Sequence, residues 1–325
     1  YGRVSKPAAR LLLARLYLNA EVYTGTARWA DAKAYAQAVM KDSNLSLCTT
    51  GKGGYSAYQL LFMGDNDTNG AQKEIILQAI HDGETTQTWG GCLFIIASTS
   101  NDAMVEDYLI GTSEKWGGNV ARKQFVEKFF PNNDAPSGIP TAVAEAAGDD
   151  RALFFTKGHT SSIEDETSFT NSGYGYVKFL GIHSDGSSPK HTQFVDTDFP
   201  MMRLAEAYLT FAEADARLNG NLCTAEGLEA IKAIRSRANA TTNFSRFSLA
   251  QIEDEWSREF GFEGRRRMDL IRFNHFGGQN EYKWEYMGGV AAGASFSAHL
   301  NIFAIPAQDL NANENLKQNP EYNKK

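Results

Sequence analysis

The stretch IEDEWSREFGFEGRRRMDLIRF, residues 252–273, decides how the chain is read. Ser248 stands where an N-cap belongs, and Ile252, Trp256 and Phe260 follow at i, i+4 and i+8, the spacing of an apolar helical stripe. Gly261 or Gly264 ends that helix, and Met268, Leu270 and Ile271 begin a second stripe. Between the stripes the charges are dense, and acids mostly precede arginines. Carboxylate–guanidinium pairs can therefore form within and across the two helices. The cluster admits two readings: an ion-pair network that staples a helix hairpin, or Glu259 and Glu263 as an acid/base pair in a cleft. No His or nucleophile accompanies the acids, so the structural network is the expectation.

Working outward, the same pairing of helices recurs. Ser5 can cap a helix running to about Asn19, with Pro7 in its first turn and Ala9, Leu12, Leu13, Leu16 and Tyr17 on one face. A partner follows from about Trp29 to Met40. A second hairpin is predicted from Pro200 to Leu218 and from Thr224 to about Ala238. Three such pairs predict a mainly α fold, a scaffold of tetratricopeptide-like hairpins at residues 1–41 and 198–276. Residues 42–197 have a different texture and read as a large, irregular, loop-rich insertion. It has predicted strands at Ile75–Ile80 and Leu93–Ala97, a short helix near Arg122–Phe129, and Gly-rich turns. Residues 277–325 read as a tail held by apolar anchors such as Ile302, Phe303 and Ile305.

Composition narrows the function. The chain of 325 residues carries 39 acids against 32 bases, net −7, which argues against a nucleic-acid partner. No apolar run approaches the length of a membrane helix. Cys48, Cys92 and Cys223 make no zinc or redox spacing, and the six histidines form no metal motif, so no cofactor is expected. Asp65-Asn66-Asp67-Thr68-Asn69-Gly70 starts like a calcium loop but has Ile76 at the twelfth position, so an Asx-rich turn is the expectation.

The ordered string Arg258-Glu259-Phe260-x-Phe262-Glu263-Gly264-Arg265-Arg266-Arg267-x-Asp269-Leu270-x-Arg272-Phe273 resembles the late-chain signature of the SusD/RagB family. Residues 2–19 are similar to that family's Gly-Arg-x-[Ser/Thr]-Lys-x-Ala-Ala helix, residues 198–209 to its Pro-x-x-Arg-x-Ala-Glu helix, and residues 305–322 to its closing segment. Glu314 and Glu321 depart from it, where members usually have Pro and often Gly. The resemblance implies one SusD-like domain over residues 1–325, the C-terminal part of a longer, lipid-anchored outer-membrane protein. The N-terminal anchor would lie outside this chain. It further implies non-catalytic binding of oligosaccharide or polysaccharide at the cell surface and delivery to a SusC-like TonB-dependent transporter. An all-helical glycoside hydrolase and a tetratricopeptide-like protein-interaction scaffold are the alternatives.

Sugar stacking needs exposed aromatic faces. Among Trp89, Tyr108, Trp116, Tyr174, Tyr176 and Trp284, the expected glycan-binding residues are Trp116, Trp89, Tyr108 and Tyr174. Trp89 and Trp116 each precede a Gly-Gly pair, which leaves backbone space beside an indole. The competing role for each is to plug the core beneath a loop.

Overall fold

The computed structural model describes residues 1–163, 171–278, 283–285 and 291–322. They form two compact units, Tyr1–Glu263 and Gly264–Lys325. The first holds α1 (Lys6–Leu18), α2 (Ala20–Thr24), α3 (Trp29–Met40), β1 (Ile75–Ala79), α4 (Gly91–Ser98), α5 (Asp102–Val105), α6 (Lys123–Val126) and α7 (Pro140–Ala147). It continues with β2 (Phe154–Phe155), β3 (Gly175–Tyr176), β4 (Phe199–Arg203), α8 (Leu204–Leu218), α9 (Ala225–Arg237) and α10 (Leu249–Phe260). The second unit contains α11 (Arg266–Arg272) and α12 (Ala307–Ala312).

In the first unit α3 packs between α1 and α8, and α8 also meets α9 and α10. Alanine sets this closeness: Ala14, Ala32, Ala36, Ala212 and Ala216 are wholly buried where the helices meet. Nearly all of α8 is inside, including its acids, and each acid has a partner. Arg15 forks onto Glu206, Lys33 reaches Asp215, and the Trp256 indole N–H donates to Glu213 at 2.6 Å. Ser248 caps α10 in a reciprocal box with Gln251.

Two predicted boundaries move. Residues 199–203, expected as the start of a helix at Pro200, form β4, antiparallel to β1 with Ile75 opposite Arg203 and Gln78 opposite Pro200. Proline lacks a ladder donor but tolerates an edge strand, and the pairing is made by a segment over a hundred residues earlier, invisible to local pattern. Residues 93–97, expected as a strand, lie in α4. Its buried Cys92, Leu93, Ile96 and Ala97 fall on one helical face, a periodicity that a short continuous apolar run conceals. The expected strand at 75–80 and helix near 122–129 appear as β1 and α6. The loop-rich segment builds its own core, in which Tyr58 and Phe62 from before β1 meet Phe154, Phe155, Tyr176 and Phe179 from between β1 and β4.

Beneath that core lies a network of buried charge. Arg203 donates to both oxygens of Glu263 at 2.8 Å, to the Glu259 carboxylate and to the Glu259 carbonyl at 2.7 Å. Arg237 holds both Glu74 oxygens at 2.9 Å and also Glu259. Arg151 joins Asp149, Glu255 and Glu259, and Lys178 meets Glu263. The acids of α10 are thus paired with cations from the loop-rich segment, β4 and α9, with Arg258 joining Glu255 from within α10. Burial raises the Glu255 carboxyl, but Arg151, Arg258 and Arg235 outweigh it and leave it at about 2. The Glu259 carboxyl is likewise raised by burial, then held far below the usual range by Arg237, Arg203 and Arg151. Burial pushes the Lys178 ammonium down to about 8 against the opposing pull of Glu263.

In the second unit Asp269 is buried between Arg265 and Arg272. Trp284 packs against Phe276 and Phe296 at 5.4 Å, and the Gln318 amide bonds both backbone groups of Ile305.

Removing one member of the buried network strands its partners. Arg203→Met is expected to cost about 3–5 kcal/mol in urea unfolding; a loss below about 1 kcal/mol would show the network to be dispensable. Glu255 is depressed on folding, so its stabilisation is complete above about pH 4.5 and is lost as pH falls toward 2. Melting temperature should drop across that window, and Glu255→Gln should flatten the slope. An unchanged slope in the variant would reassign the acid sensitivity to other groups.

Candidate functional site

The structure brings Trp89 and Trp116 together, with ring centroids 6.1 Å apart and planes inclined by 37°. Phe94 joins them, edge-on to Trp116. Trp89 is 55%, Phe94 50% and Trp116 41% exposed, so three adjacent large apolar side chains face solvent.

Each ring is mounted differently. Phe94 projects from α4 opposite its buried face. That helix begins at Gly91, with φ +59°; a Cβ there would stand 2.5 Å from His81 Nε2, so glycine is required. The turn carrying Trp116 is tied to the end of α4: Trp116 N–H donates to the Ala97 carbonyl and Gly117 N–H to that of Ser100, both at 2.8 Å. Trp89 rests edge-to-face on Phe194 at 5.2 Å. Phe194 belongs to a strap, residues 183–196, closed at its base by His183 Nε2 and Asp196 at 2.9 Å. Where residue 111 passes residue 181, φ of +82° and a would-be Cβ contact of 2.3 Å with the Gly181 backbone demand Gly111.

The rim is polar. Glu114 accepts the Trp116 indole N–H at 2.6 Å and the Gln193 amide at 2.7 Å. Those bonds, Gln193's first, hold its carboxyl below the usual range. Lys115 pairs with Asp102 at 2.8 Å. The result is an angled, partly apolar surface fringed with hydrogen-bonding groups, the chemistry of a stacking site.

The other aromatic candidates go elsewhere. Tyr174 is buried, 8% exposed, with its backbone bridged to Ala121, and offers no open face. Tyr108 packs against the core, where burial pushes its hydroxyl well above the usual range. Tyr176 is wholly buried and donates to the Arg151 carbonyl at 3.0 Å. Trp284 lies in the second unit. Sequence reasoning missed Phe94, hidden by the strand reading of α4, and missed Glu114 and Gln193, which carry no local signal.

Glu259 and Glu263 are not an acid/base pair: their oxygens accept from Arg151, Lys178, Arg203 and Arg237 inside the core. Asp65 accepts from the Ser184 N–H and hydroxyl and from Asn69, and Asn66 and Asn69 bond core carbonyls. That segment is an Asx-rich turn whose Asp65, Asn66 and Asn69 side chains point inward while Asp67 and Thr68 stay exposed. A separate pocket of about 360 Å³, lined by Ser56, Gln59, Glu145, Asp150 and Asn239 among others, has no aromatic wall.

An aromatic stacking surface carried on a helix-rich scaffold is the class of site these elements define. The chain belongs to the SusD family, whose model matches residues 67–322. It is 38% identical over 353 aligned positions to the starch-binding protein SusD of Bacteroides thetaiotaomicron, across 99% of this chain and 61% of that protein. The chain therefore spans about three fifths of that relative's length. Its fold is similar to a SusD-like protein from Bacteroides fragilis NCTC 9343, with TM-score 0.68 and 18% identity over 99% of this chain and 66% of that one. It is also similar to surface glycan-binding protein A from Bacteroides thetaiotaomicron, solved with laminarihexaose, with TM-score 0.64 and 19% identity over 98% and 64%.

The two kinds of aromatic separate in a stability assay. Tyr174→Ala is expected to lose about 3–5 kcal/mol, whereas Trp89→Ala leaves the urea midpoint nearly unchanged. Equal losses would place Trp89 in the core.

Proposed function

We propose that the chain binds a neutral glucan, non-catalytically, by stacking sugar rings on Trp89, Trp116 and Phe94. The observation that carries this reading is the convergence of three exposed rings on one surface, Trp89 and Phe94 from the stretch entering α4 and Trp116 from a later turn. Family membership and a starch-binding relative at 38% identity support a glucan as the ligand. The 37° inclination between the indoles suits a chain that curves from ring to ring, as α-linked glucans do, better than a flat ribbon. Hydroxyls at the ring edges would meet the Lys115–Asp102 pair. Stacking of this kind breaks no bond and needs no metal.

Family membership also supports a place at the outer-membrane surface, attachment through a lipid anchor in the full-length protein, and transfer of the captured glycan to a SusC-like TonB-dependent transporter. No described helix is long and apolar enough to cross a membrane. Transfer is tested by isolating the full-length protein from detergent-solubilised outer membrane; absence of a transporter partner would remove that step.

Affinity electrophoresis and calorimetry against starch, xylan, mannan, pectin and cellulose oligosaccharides, with product analysis, test the binding. Starch should be retained and left intact. Trp116→Ala should weaken binding by about 1–3 kcal/mol, ten- to hundredfold in Kd, with melting nearly unchanged. Release of reducing sugar, or full affinity in a Trp89→Ala/Trp116→Ala double variant, would overturn the proposal.

A further inference from the structure

An indole that is 41% exposed, and whose ring neighbours Trp89 and Phe94 are themselves exposed, is incompletely fixed by packing, so polar contacts must help hold Trp116 at its inclination to Trp89. The contacts single out one carboxylate. Glu114 Oε2 accepts from Trp116 Nε1 at 2.6 Å, a charge-assisted bond that fixes the plane of the ring. Its Oε1 accepts from Gln193 Nε2 at 2.7 Å, and residue 193 is followed directly by Phe194, the ring on which Trp89 rests. Glu114 is itself triangulated. Its N–H donates to Thr112 Oγ1 at 3.2 Å, Thr112 Oγ1 donates to the Gln193 carbonyl at 2.6 Å, and Ser113 N–H donates to the Thr192 carbonyl at 2.9 Å. His191 Nδ1 accepts the backbone N–H groups of both Gln193 and Phe194 at 3.1 Å, which fixes the far side of the joint. Two chain segments almost eighty residues apart are joined by the Thr112 and Ser113 bonds, and Glu114 is the side chain that ties the Trp116 ring to that joint; each segment positions one of the two indoles.

We propose that Glu114 is the positioning residue of the aromatic platform, setting the inclination between Trp116 and Trp89 and with it the glycan curvature the site accepts. The proposal rests on the stacking reading above. An ordinary exposed glutamate would be spare in this position. Here both carboxylate oxygens are engaged, one by each half of the platform, and shortening the side chain releases the Trp116 indole from the joint, which the Thr112 and Ser113 bonds still hold, without opening a cavity in the core. Glutamine at 114 keeps an acceptor oxygen for the indole, and its amide nitrogen can donate to Gln193 Oε1 once that amide turns over, so both contacts survive in weaker, uncharged form.

The test has two readouts. Near-ultraviolet circular dichroism of the ligand-free protein reports the coupling of two indoles in contact. It should change in Glu114→Ala, change less in Glu114→Gln, and change in Gln193→Ala, with melting temperature held in all three. Affinity is then measured for a cyclic α-glucan, whose curvature is imposed, and for a linear one of equal ring count. Wild type should favour the cyclic ligand, and Glu114→Ala should bind it at least tenfold more weakly while losing the preference, with partial recovery in Glu114→Gln. An unchanged dichroism spectrum in Glu114→Ala, or an unchanged cyclic-to-linear ratio beside a changed spectrum, overturns the proposal. Failure of wild type to bind either glucan would instead sink the glucan reading, and the spectra alone would still decide whether Glu114 orients the indoles.

Discussion

The fold of the first unit depends on how Arg203, Arg237 and Arg151 share Glu259. Burying an ion pair is weak as a source of stability, because desolvating both charges offsets most of their attraction. What such a cluster supplies is geometry. A guanidinium fork accepts few arrangements of carboxylates, and a buried carboxylate left short of partners is too costly for the structure to tolerate. Arg203 ends β4, Arg237 ends α9, and Arg151 and Lys178 come from the loop-rich segment; Glu255 and Glu259 come from α10, Glu263 from just after it, Asp149 from the loop-rich segment and Glu74 from just before β1. Satisfying all of them together fixes these elements relative to one another. Arg203 also lies 3.9 Å from the centroid of the Phe260 ring, so the network is bounded by aromatic as well as ionic contacts.

That constraint reaches the aromatic platform through the chain's topology. The segment between β1 and β4 leaves the helical scaffold and returns to it through one antiparallel seam, with Glu74 at its entrance and Arg203 at its exit. With both ends fixed, it can close over Phe154, Tyr176 and Phe179, and Tyr58 and Phe62 join that core from before β1. The turns and strap that present Trp89 and Trp116 are then anchored to that core at the end of α4, at residues 111 and 181, and at the His183–Asp196 clasp. Binding residues sit on loops, but on loops with few degrees of freedom left.

How much of this the sequence disclosed follows from the range of each interaction. The α10 stripe of Ile252, Trp256 and Phe260 is legible because i, i+4 spacing is a local signal, and all three are buried. In α1 the helix is legible but its inner face is not: Leu12 and Leu16 of the expected stripe are exposed, while Ala8, Leu11, Ala14 and Leu18 lie inside, because apolar residues surround the helix and only the packing against α3 selects a face. The structural character of the 252–263 acids is legible too, since nothing nucleophilic stands beside them. The partners of those acids are not legible: Arg151 and Arg203 lie about a hundred and about fifty positions away, and no pattern names them. The start of α8 was placed at Pro200 because proline opens helices, whereas a distant strand claims that residue. At the site, Trp89 and Trp116 could be proposed from their glycines, but their contact is a product of tertiary structure. Tyr108 and Tyr174 have the same local credentials and face the core, because exposure is decided by what packs above a residue.

The first unit departs twice from ordinary burial, and the two departures explain each other. It places arginine and glutamate in its interior, where they are rarely found unpaired, and tryptophan and phenylalanine outside, where water disfavours them. The buried charges fix where the loop-rich segment begins and ends without relying on the size of a shared apolar core. The exposed rings are the reverse case, left uncovered although the core below has aromatic partners of every kind. Were hydrophobic burial alone setting the structure, Trp89 and Trp116 would fold inward and the arginines outward. That neither happens, and that Glu114 spends both carboxylate oxygens holding an exposed indole, means the surface is kept open by specific polar contacts and at a cost in burial.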